Sequence, residues 1–405
     1  MSNTRSLPLA GIRILDFTQL QFGPMATQIF ADFGAEVTKM ERPKLGDISR
    51  SIDVRSTGIE DSASFLPFNR NKRSLVLDMK NPLAMGIVHK LLEKSDVIVS
   101  NFRAGVAERM GLGYETLKEK YPALIYASGT GFGETGPLKS MGGQDIVLQS
   151  LAGSTWHNRD ETGRPGIFPI PFIDFGAGMA LGQGILMALI ERSVSGMGQR
   201  VDVSLLDTAL SMQMQEYTQW MMRRFELNWE RDNLIGSFRT SDGWICIVGI
   251  FRPDPLEAVC AGLGIDDLTS RPEFATAGLQ LENKSALWSI LDNELSRFTT
   301  EDALQKLSAG GVMCAPVLDY DQVLEHPQVV NNDLVRTVEH PKLGSLKVID
   351  TPIRMSGVAD RRYSAPPLLG QHSEEILGEL GYSPEDIDEF VSDGLVGRTS
   401  SHNVA

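Results

Sequence analysis

The sequence has little of the chemistry that ties a protein to metals, disulfides or nucleic acid. Its only cysteines, Cys246, Cys260 and Cys314, form neither a CxxC pair nor a cluster with histidine. We therefore expect free thiols in a reducing compartment, and neither a disulfide framework nor a zinc site. Positive charge is also scarce, because 38 Lys and Arg residues oppose 52 Asp and Glu residues, for a net charge of −14. That balance argues against nucleic acid and anionic membranes as partners.

Long hydrophobic runs are missing as well. The stretch MSNTRSLPLAGIRILDF contains no continuous apolar segment of the kind found in signal peptides. The longest weakly polar run, 175–190, is shorter than a bilayer span and contains Gln183, so it predicts a buried helix. We expect a cytoplasmic protein without a membrane partner. At 405 residues the chain is long for one hydrophobic core, and two domains are expected.

The N-terminal half alternates strands and helices. IRILDF and EVTKME are short apolar strands that flank a helix, and DVIVSNF and ALIYASGTG continue the pattern. This predicts an α/β fold with a doubly wound, mostly parallel, Rossmann-like sheet, whose ligands bind beyond the carboxyl ends of the strands. Near residue 225 the pattern changes, and SDGWICIVGI indicates a hairpin that turns at Asp242-Gly243. The predicted division is a large domain over 1–205 and 335–405, a smaller α+β domain over 225–315, and linkers over 206–224 and 316–334.

Seven basic residues fall at or near predicted strand ends of this otherwise acidic protein. Each one alone is best explained as a solvated loop charge, because lysine and arginine are mostly exposed. As a set they suit a polyphosphate ligand better, because phosphate oxygens accept charge-assisted hydrogen bonds from lysine and arginine side chains. The set consists of Arg42, Arg70, Lys72, Arg73, Arg103, Arg109 and Lys139.

One glycine pattern, GFGETG at 131–136, formally matches the GxGxxG of dinucleotide-binding loops. It lies deep in the chain rather than at the first strand-to-helix turn, and Pro137 follows where a helix should open. NAD and FAD binding are therefore disfavoured.

The stretch PFIDFGAGMALGQG places one carboxylate, Asp174, ahead of a run of glycines and alanines. Two interpretations are open. In one, Asp174 is the N-cap of the helix that follows, because an aspartate oxygen accepts an orphan backbone N–H. In the other, it is a nucleophile beside small residues that admit a large ligand, with nearby backbone N–H groups as oxyanion donors.

Several long motifs, in order from about Leu9 to Leu395, resemble the family III CoA-transferases, the group of formyl-CoA transferase and carnitine CoA-transferase. They are LAGIRILDF, GPMATQIFADFGAEVTKMERP, FNRNKRSLVLDMK, DVIVSNFRAGVAERMG, FPIPFIDFGAGMA, GMGQRVDVSLLD and APPLLGQHSEEIL. The resemblance implies that Asp174 is the nucleophile, that Gln21 lies beside it, and that two subunits form a homodimer of linked rings. It also implies coenzyme A contacts at Arg42, Lys72, Asn101, Phe102, Arg109, Met110 and Lys139.

The implied activity is transfer of CoA from an acyl-CoA to a carboxylic acid, through a mixed anhydride and an aspartyl-CoA thioester on Asp174. Coenzyme A is then a substrate, and neither a metal nor a tightly bound cofactor is expected. Dicarboxylates such as succinate suit the local cations, and carnitine-like or aromatic acids stay open. The smaller domain lacks the glycine-rich loop that covers the site in formyl-CoA transferase, which disfavours oxalate.

Two other functions stay open. An acyl-CoA racemase of the same fold uses a histidine where this chain has Gln144, and glutamine does not exchange a proton at neutral pH. Among the six histidines, only His157 lies close by in sequence. A non-catalytic CoA-binding protein requires Asp174 to be a helix cap and nothing more.

Overall fold

The computed structural model describes residues 6–52, 62–160, 162–358, 361 and 363–399, so the first five residues of the N-terminal stretch lie outside it. The chain forms two compact units. The large unit combines residues up to Met214 with those from Leu334 onward, and the small unit is Gln215–Asp333. The small unit is therefore an insertion in the sequence of the large one.

A seven-stranded sheet forms the centre of the large unit. Its strands are β1 (Arg13–Asp16), β2 (Glu36–Glu41), β3 (Arg73–Leu77), β4 (Val97–Ser100), β5 (Ile125–Thr130), β6 (Arg200–Ser204) and β12 (Val396–Gly397). The strand order is β12-β3-β2-β1-β4-β5-β6, and every pair is parallel except β12 with β3. This confirms the predicted doubly wound, mostly parallel sheet. A separate antiparallel hairpin consists of β10 (Val335–His340) and β11 (Gly344–Ile349).

Helices cover both faces of this sheet. They are α1 (Phe22–Asp32), α2 (Ala84–Leu92), α3 (Val106–Arg109), α4 (Tyr114–Lys120), α5 (Asp145–Leu151), α6 (Ser154–His157), α7 (Phe172–Ser195), α8 (Leu205–Met212), α16 (Ser373–Glu379) and α17 (Pro384–Ser392). One apolar cluster packs α1 and α7 on one face, and a second packs α2, α16 and α17 on the other. Because both faces are covered, the strands read as nearly continuous apolar runs.

Helices α1 and α7 approach closely because glycines lie at their contact. A Cβ atom built on Gly178 would lie 2.8 Å from the carbonyl oxygen of Phe22, which is too close for a real side chain. One turn further along α7, Gly182 faces Ala26 and Phe30. The two helices therefore run in the same direction, and both begin at the carboxyl edge of the sheet, where α1 follows β1.

The helix α7 is buried on one face only, so the prediction of a buried helix is half correct. With 24 residues and a mean hydropathy of 1.6, it is long and apolar enough by composition to cross a membrane. Its inner face packs in the core of the large unit through Ile173, Ala177, Leu181, Ile185 and Ala188. Its outer face exposes Met187, Ile190 and Val194.

The small unit contains a three-stranded antiparallel sheet and seven α-helices among its described residues. The strands are β7 (Ile235–Arg239), β8 (Trp244–Val248) and β9 (Met313–Pro316), in the order β7-β8-β9. The α-helices are α9 (Met214–Arg223, whose first residue belongs to the large unit), α10 (Pro255–Leu263), α11 (Ala277–Glu282), α12 (Lys284–Leu295), α13 (Thr300–Ala309), α14 (Tyr320–Glu325) and α15 (Pro327–Asn331). The predicted hairpin joins β7 to β8, with the N–H of Thr240 donating to the carbonyl of Gly243 at 3.0 Å.

Candidate active site

The order of the sheet reverses between β1 and β4, which are neighbours although β2 and β3 lie on the far side of β1. In doubly wound sheets, ligands bind in the crevice where the order reverses. The loops that follow these two strands are joined by Asn101, whose Oδ1 accepts the N–H of Gln19 at 2.8 Å. Its Nδ2 donates to the carbonyl of Gln19 at 2.7 Å.

A cavity of about 180 Å³ opens beside these loops. It brings together three of the residues that the resemblance assigned to coenzyme A, namely Arg42, Phe102 and Met110. The rings of Phe17 and Phe102 pack with centroids 6.2 Å apart and form an aromatic wall. The other residues that line the cavity are Gln19, Met40, Glu41, Leu77, Asp78, Met79 and Lys80.

Lys80 is a basic residue of this cavity that the sequence analysis missed. It is exposed and lies three residues beyond the end of β3, at the carboxyl edge of the sheet. The sequence contained a signal for it, because Lys80 is the last residue of the FNRNKRSLVLDMK motif. Arg70, Lys72 and Arg73, the basic residues that the sequence suggested, precede or begin this strand rather than follow it.

The interpretation of the seven basic residues as one set that suits a polyphosphate ligand is wrong for Arg70, Lys72 and Arg73. These residues precede or begin β3, whereas ligands of a parallel sheet collect where its strands end. Arg70 pairs with Asp32 at 2.5 Å. Arg73 pairs with Glu36 at 2.8 Å and with a carboxylate on α16.

The assignment of Lys72 to coenzyme A is corrected by its burial. The side chain of Lys72 has no exposed surface, and its Nζ lies 3.3 Å from Asp16 Oδ2. The same ammonium donates to the carbonyl of Pro24 at 2.9 Å and to Asn69 Oδ1 at 3.0 Å. Burial lowers the pKa of Lys72 to about 8 despite the neighbouring Asp16. Lys72 therefore serves the interior of the fold, and a phosphate group has no access to it.

The remaining basic residues lie beyond the carboxyl ends of strands. Arg103 follows β4, and its guanidinium lies against Gly142, where a built Cβ would come within 2.7 Å of it. The loop after β4 thus touches the loop after β5 that carries Lys139. Arg109 ends α3 next to Met110, and both Arg109 and Lys139 are exposed.

Asp174 is not the N-cap of α7, so that interpretation of its role is wrong. The helix begins at Phe172, and the N-cap position is occupied by Pro171, which makes no side-chain cap. Asp145, the first residue of α5, performs this role instead. Its Oδ2 accepts the N–H of Ile173 at 2.8 Å and that of Asp174 at 3.0 Å. The Asp174 carboxylate is therefore not engaged in capping.

The first turn of α7 does not supply the oxyanion donors that the sequence suggested. The N–H groups of Ile173 and Asp174 donate to Asp145, and that of Phe175 donates to the carbonyl of Pro171 at 3.3 Å. From the next residue onward the N–H groups belong to the helix. Gln21 is different, because it occupies the N-cap position of α1 without making a side-chain capping bond.

Two causes raise the pKa of Asp174 to about 7, with burial the larger and the negative charge of Asp145 the smaller. At neutral pH this carboxyl is thus divided between its protonated and ionised forms. A mostly buried carboxyl with a perturbed pKa at a ligand-binding edge is typical of an active site. Asp145 is the second functional residue that the sequence analysis missed, because an aspartate after Gly-Gly-Gln resembles an ordinary turn.

The stretch 131–144 has a structural role in this chain. Gly131 and Gly143 pack backbone against backbone, since a Cβ built on Gly143 would lie 2.4 Å from the Cα of Gly131. The next helix begins only at Asp145, so no helix opens at the glycine pattern as dinucleotide binding requires. Gln144 is the N-cap residue of α5 and makes no side-chain cap. Within the described ranges, no group of three or more metal-ligating side chains is found.

Comparison with known proteins agrees with this architecture. The chain matches CoA-transferase family III over residues 9–373. It is 33% identical over 401 residues to succinyl-CoA:glutarate CoA-transferase of Homo sapiens, with 98% of this chain and 91% of that protein covered. It is 32% identical over 409 residues to formyl-CoA:oxalate CoA-transferase of Streptomyces coelicolor, with 96% and 99% covered. The crystal structure of a CAIB/BAIF family protein from Brucella suis superposes with a TM-score of 0.82 at 28% identity, covering 93% of this chain and 100% of that one.

The fold and the site thus define an enzyme of acyl-CoA chemistry, and the chain belongs to CoA-transferase family III. Its reaction is the transfer of CoA between an acyl-CoA and a carboxylic acid.

Replacing Asp174 by asparagine is expected to stabilise the protein at pH 8. Folding raises the pKa of this carboxyl from 3.8 to about 7. The protonated form therefore stabilises the fold at low pH, and this contribution is lost as the pH rises through about 7. Asparagine carries no charge to desolvate, so the free energy of unfolding should increase by roughly 1–3 kcal/mol at pH 8 and little at pH 4.

Urea unfolding at both pH values measures this difference. The matched control is Asp266→Asn, which changes an exposed aspartate and should stay within about 0.5 kcal/mol. If the Asp174→Asn protein is no more stable than the wild type at pH 8, the ionised carboxyl of Asp174 does not destabilise the fold.

Proposed function

We propose that Asp174 carries the CoA group as a thioester during transfer. The observation that supports this most directly is that its carboxyl is mostly buried and has a raised pKa. This carboxyl does not cap α7, because Asp145 accepts the N–H groups at the start of that helix. It is held at the carboxyl edge of the sheet, because α7 packs in parallel against α1, which follows β1. A nucleophile, rather than a structural group, is the role that fits this arrangement.

In the first half of the reaction, an Asp174 oxygen attacks the thioester carbonyl of the acyl-CoA. The C–S bond breaks, which gives a mixed anhydride and the CoA thiolate. The thiolate then attacks the aspartyl carbonyl of the anhydride, and the donor acid leaves with the bridging oxygen. Asp174 now carries CoA as a thioester.

The second half reverses this sequence with a new acid. A carboxylate oxygen of the acceptor attacks the aspartyl thioester and expels the thiolate, which gives a second mixed anhydride. The thiolate then attacks the acceptor's carbonyl, and the acyl-CoA product leaves. The bridging oxygen, which came from the acceptor, stays on Asp174. Holding CoA throughout keeps its thiolate close to the anhydride, and this proximity can be worth roughly 7 kcal/mol.

Gln21 is the side chain that we assign to the developing oxyanions. It immediately precedes Phe22, whose carbonyl oxygen packs against Gly178, one helical turn after Asp174. The amide of Gln21 makes no capping bond, while the backbone N–H groups of the first turn of α7 are occupied. An amide donor aimed at the developing negative charge stabilises the transition state more than the ground state.

We assign the nucleotide end of coenzyme A to the cavity lined by Arg42, Lys80, Phe102 and Met110. An aromatic and thioether wall suits a stacked base, and the cations beside it suit phosphate. We also assign Arg109, at the end of α3, and Lys139, on the loop after β5, to the phosphates of coenzyme A. Asn101 differs from these residues, because its amide already bonds the main chain of Gln19.

The exchanged acids are, in this proposal, dicarboxylates of the succinate and glutarate type. The human relative is named for succinyl-CoA and glutarate, and the Streptomyces relative for formyl-CoA and oxalate. Of these, the first pair is favoured because the small domain has no glycine-rich loop of the kind that covers the site in formyl-CoA transferase. Assays with succinyl-CoA and glutarate should therefore give faster transfer than assays with formyl-CoA and oxalate.

We further propose a homodimer of linked rings. Apolar side chains are exposed along α7, and α9 has no buried residue although it carries Met214, Met221 and Met222. Apolar surface of this kind is expensive in water unless another surface covers it.

Light scattering should give twice the mass of the chain. Because linked rings separate only by unfolding, this mass should persist on dilution to nanomolar concentration. A mass that falls to that of one chain while the protein stays folded would contradict the linkage.

Removing a cation from the cavity is expected to weaken coenzyme A binding. Arg42→Ala or Lys80→Ala should raise the Kd for CoA by about 3- to 10-fold, as expected for loss of one phosphate contact worth about 1 kcal/mol. The ratio of the variant's Kd to the wild-type Kd should become smaller at higher salt, because salt screens the attraction between these cations and the phosphates of CoA in the wild type. Calorimetric titration with CoA measures both effects.

The control variant is Lys306→Ala, which removes an exposed positive charge from the small unit and should leave the Kd unchanged. If Arg42→Ala and Lys80→Ala also leave it unchanged, coenzyme A does not bind in this cavity.

The covalent step is tested by following oxygen. An acceptor acid labelled with heavy oxygen should leave label on Asp174 during turnover, and hydroxylamine added with the acyl-CoA should convert Asp174 to a hydroxamate. Trypsin separates the two candidate carboxylates, because cleavage after Arg159 and Arg192 places Asp174 on a different peptide from Asp145. Asp174→Asn should lose transfer. Label or hydroxamate on the Asp145 peptide instead would overturn the assignment.

A further inference from the structure

The turn that carries Gln21 has an unusual backbone. Leu20, between Gln19 and Gln21, has a φ of 65°, in the left-handed region that residues other than glycine and asparagine rarely adopt. A bulky side chain at such a φ costs about 1 kcal/mol or more and persists only when its surroundings enforce it. The turn immediately precedes α1, so its shape decides where Gln21 presents its amide.

Side chains from three other segments enforce this shape. Asp47 Oδ1 accepts the N–H of Leu20 at 3.0 Å, and Lys39 Nζ donates to the carbonyl of Thr18 at 2.8 Å. Lys39 and Asp47 pair with each other at 2.8 Å, and neither side chain has any exposed surface. The third anchor is Asn101, whose amide bonds both the N–H and the carbonyl of Gln19.

The bonds of Asn101 leave little of its amide for a ligand. Its Oδ1 and one Nδ2 hydrogen are used by the main chain of Gln19, on the loop across the crevice. A residue that contacts coenzyme A through this amide would have to release the turn. The two bonds are instead those of a clamp, which joins the loop after β4 to the loop after β1.

We propose that Asn101 is a positioning residue for CoA transfer, which acts by holding the Gln19–Gln21 turn so that the Gln21 amide faces the reacting carboxyl. Lys39 and Asp47 hold the same turn through their bonds to Thr18 and Leu20. This inference rests on the proposed function, because it requires Gln21 to meet the oxyanion. It assigns Asn101 a role in the chemical step rather than in binding coenzyme A.

A double-mutant cycle tests the proposal with succinyl-CoA and glutarate. Asn101→Ala should lower kcat by about 10- to 100-fold, because misplacement of a catalytic group by about 1 Å costs that much. The Kd for CoA should stay within about twofold. In the Gln21→Ala background, adding Asn101→Ala should lower kcat no further, because the group that it positions is already absent.

A purely structural role for Asn101 predicts that the two losses multiply, and a coenzyme A contact predicts a raised Kd with kcat retained. Either result overturns the proposal. If Asn101→Ala does not fold, Asn101→Asp serves instead, because it keeps the acceptor for the N–H of Gln19 and replaces the donor by a carboxylate oxygen. Its loss of kcat should likewise vanish in the Gln21→Ala background. Full transfer by Gln21→Ala, or by Asp174→Asn, would contradict the proposed function itself rather than the clamp.

Discussion

Contact between the backbones of α1 and α7 is the constraint on which the rest of the site depends. At Gly178 no side chain separates the two helices, so their first turns lie together at one edge of the sheet. Any larger residue there would push α7, and Asp174 with it, away from α1. The helix gives up roughly 1 kcal/mol of intrinsic propensity at each such glycine in exchange for this approach. Chemistry that joins groups from both helices is possible only because of it.

Side chains of opposite charge are buried together next to this site, in nearly equal numbers. Asp16, Lys39 and Lys72 have no exposed side-chain surface, and Glu41 pairs with the almost buried Arg50 at 2.7 Å. Removing charged groups from water is costly, and pairing seldom returns more than the cost. Such a cluster therefore adds little net stability. Its hydrogen bonds are directional, however, and they define the course of the loop after β1 in a way that apolar packing would not.

The sequence predicted the architecture well because strand periodicity and turn residues are local signals. The α/β alternation, the hairpin at Asp242-Gly243 and the family resemblance all follow from contiguous stretches. Prediction failed where the answer depended on strand direction or on a partner far away in sequence. Lys72 and Lys80 flank the same strand, and only the fold shows that one is buried against Asp16 and the other lines the cavity. The capping of α7 by Asp145 spans 29 residues and has no local signature.

The strand at one edge of the large sheet has a consequence for how the protein is made. β12 pairs with β3 across more than 300 residues of sequence, while the small unit is one uninterrupted segment, Gln215–Asp333. On the ribosome, chain segments become available in order from the N-terminus. The small unit has all its residues before β12 is synthesised, and the larger sheet stays open at that edge until then. During that interval β3 presents unpaired backbone groups to its surroundings, an edge of the kind that promotes pairing with other chains.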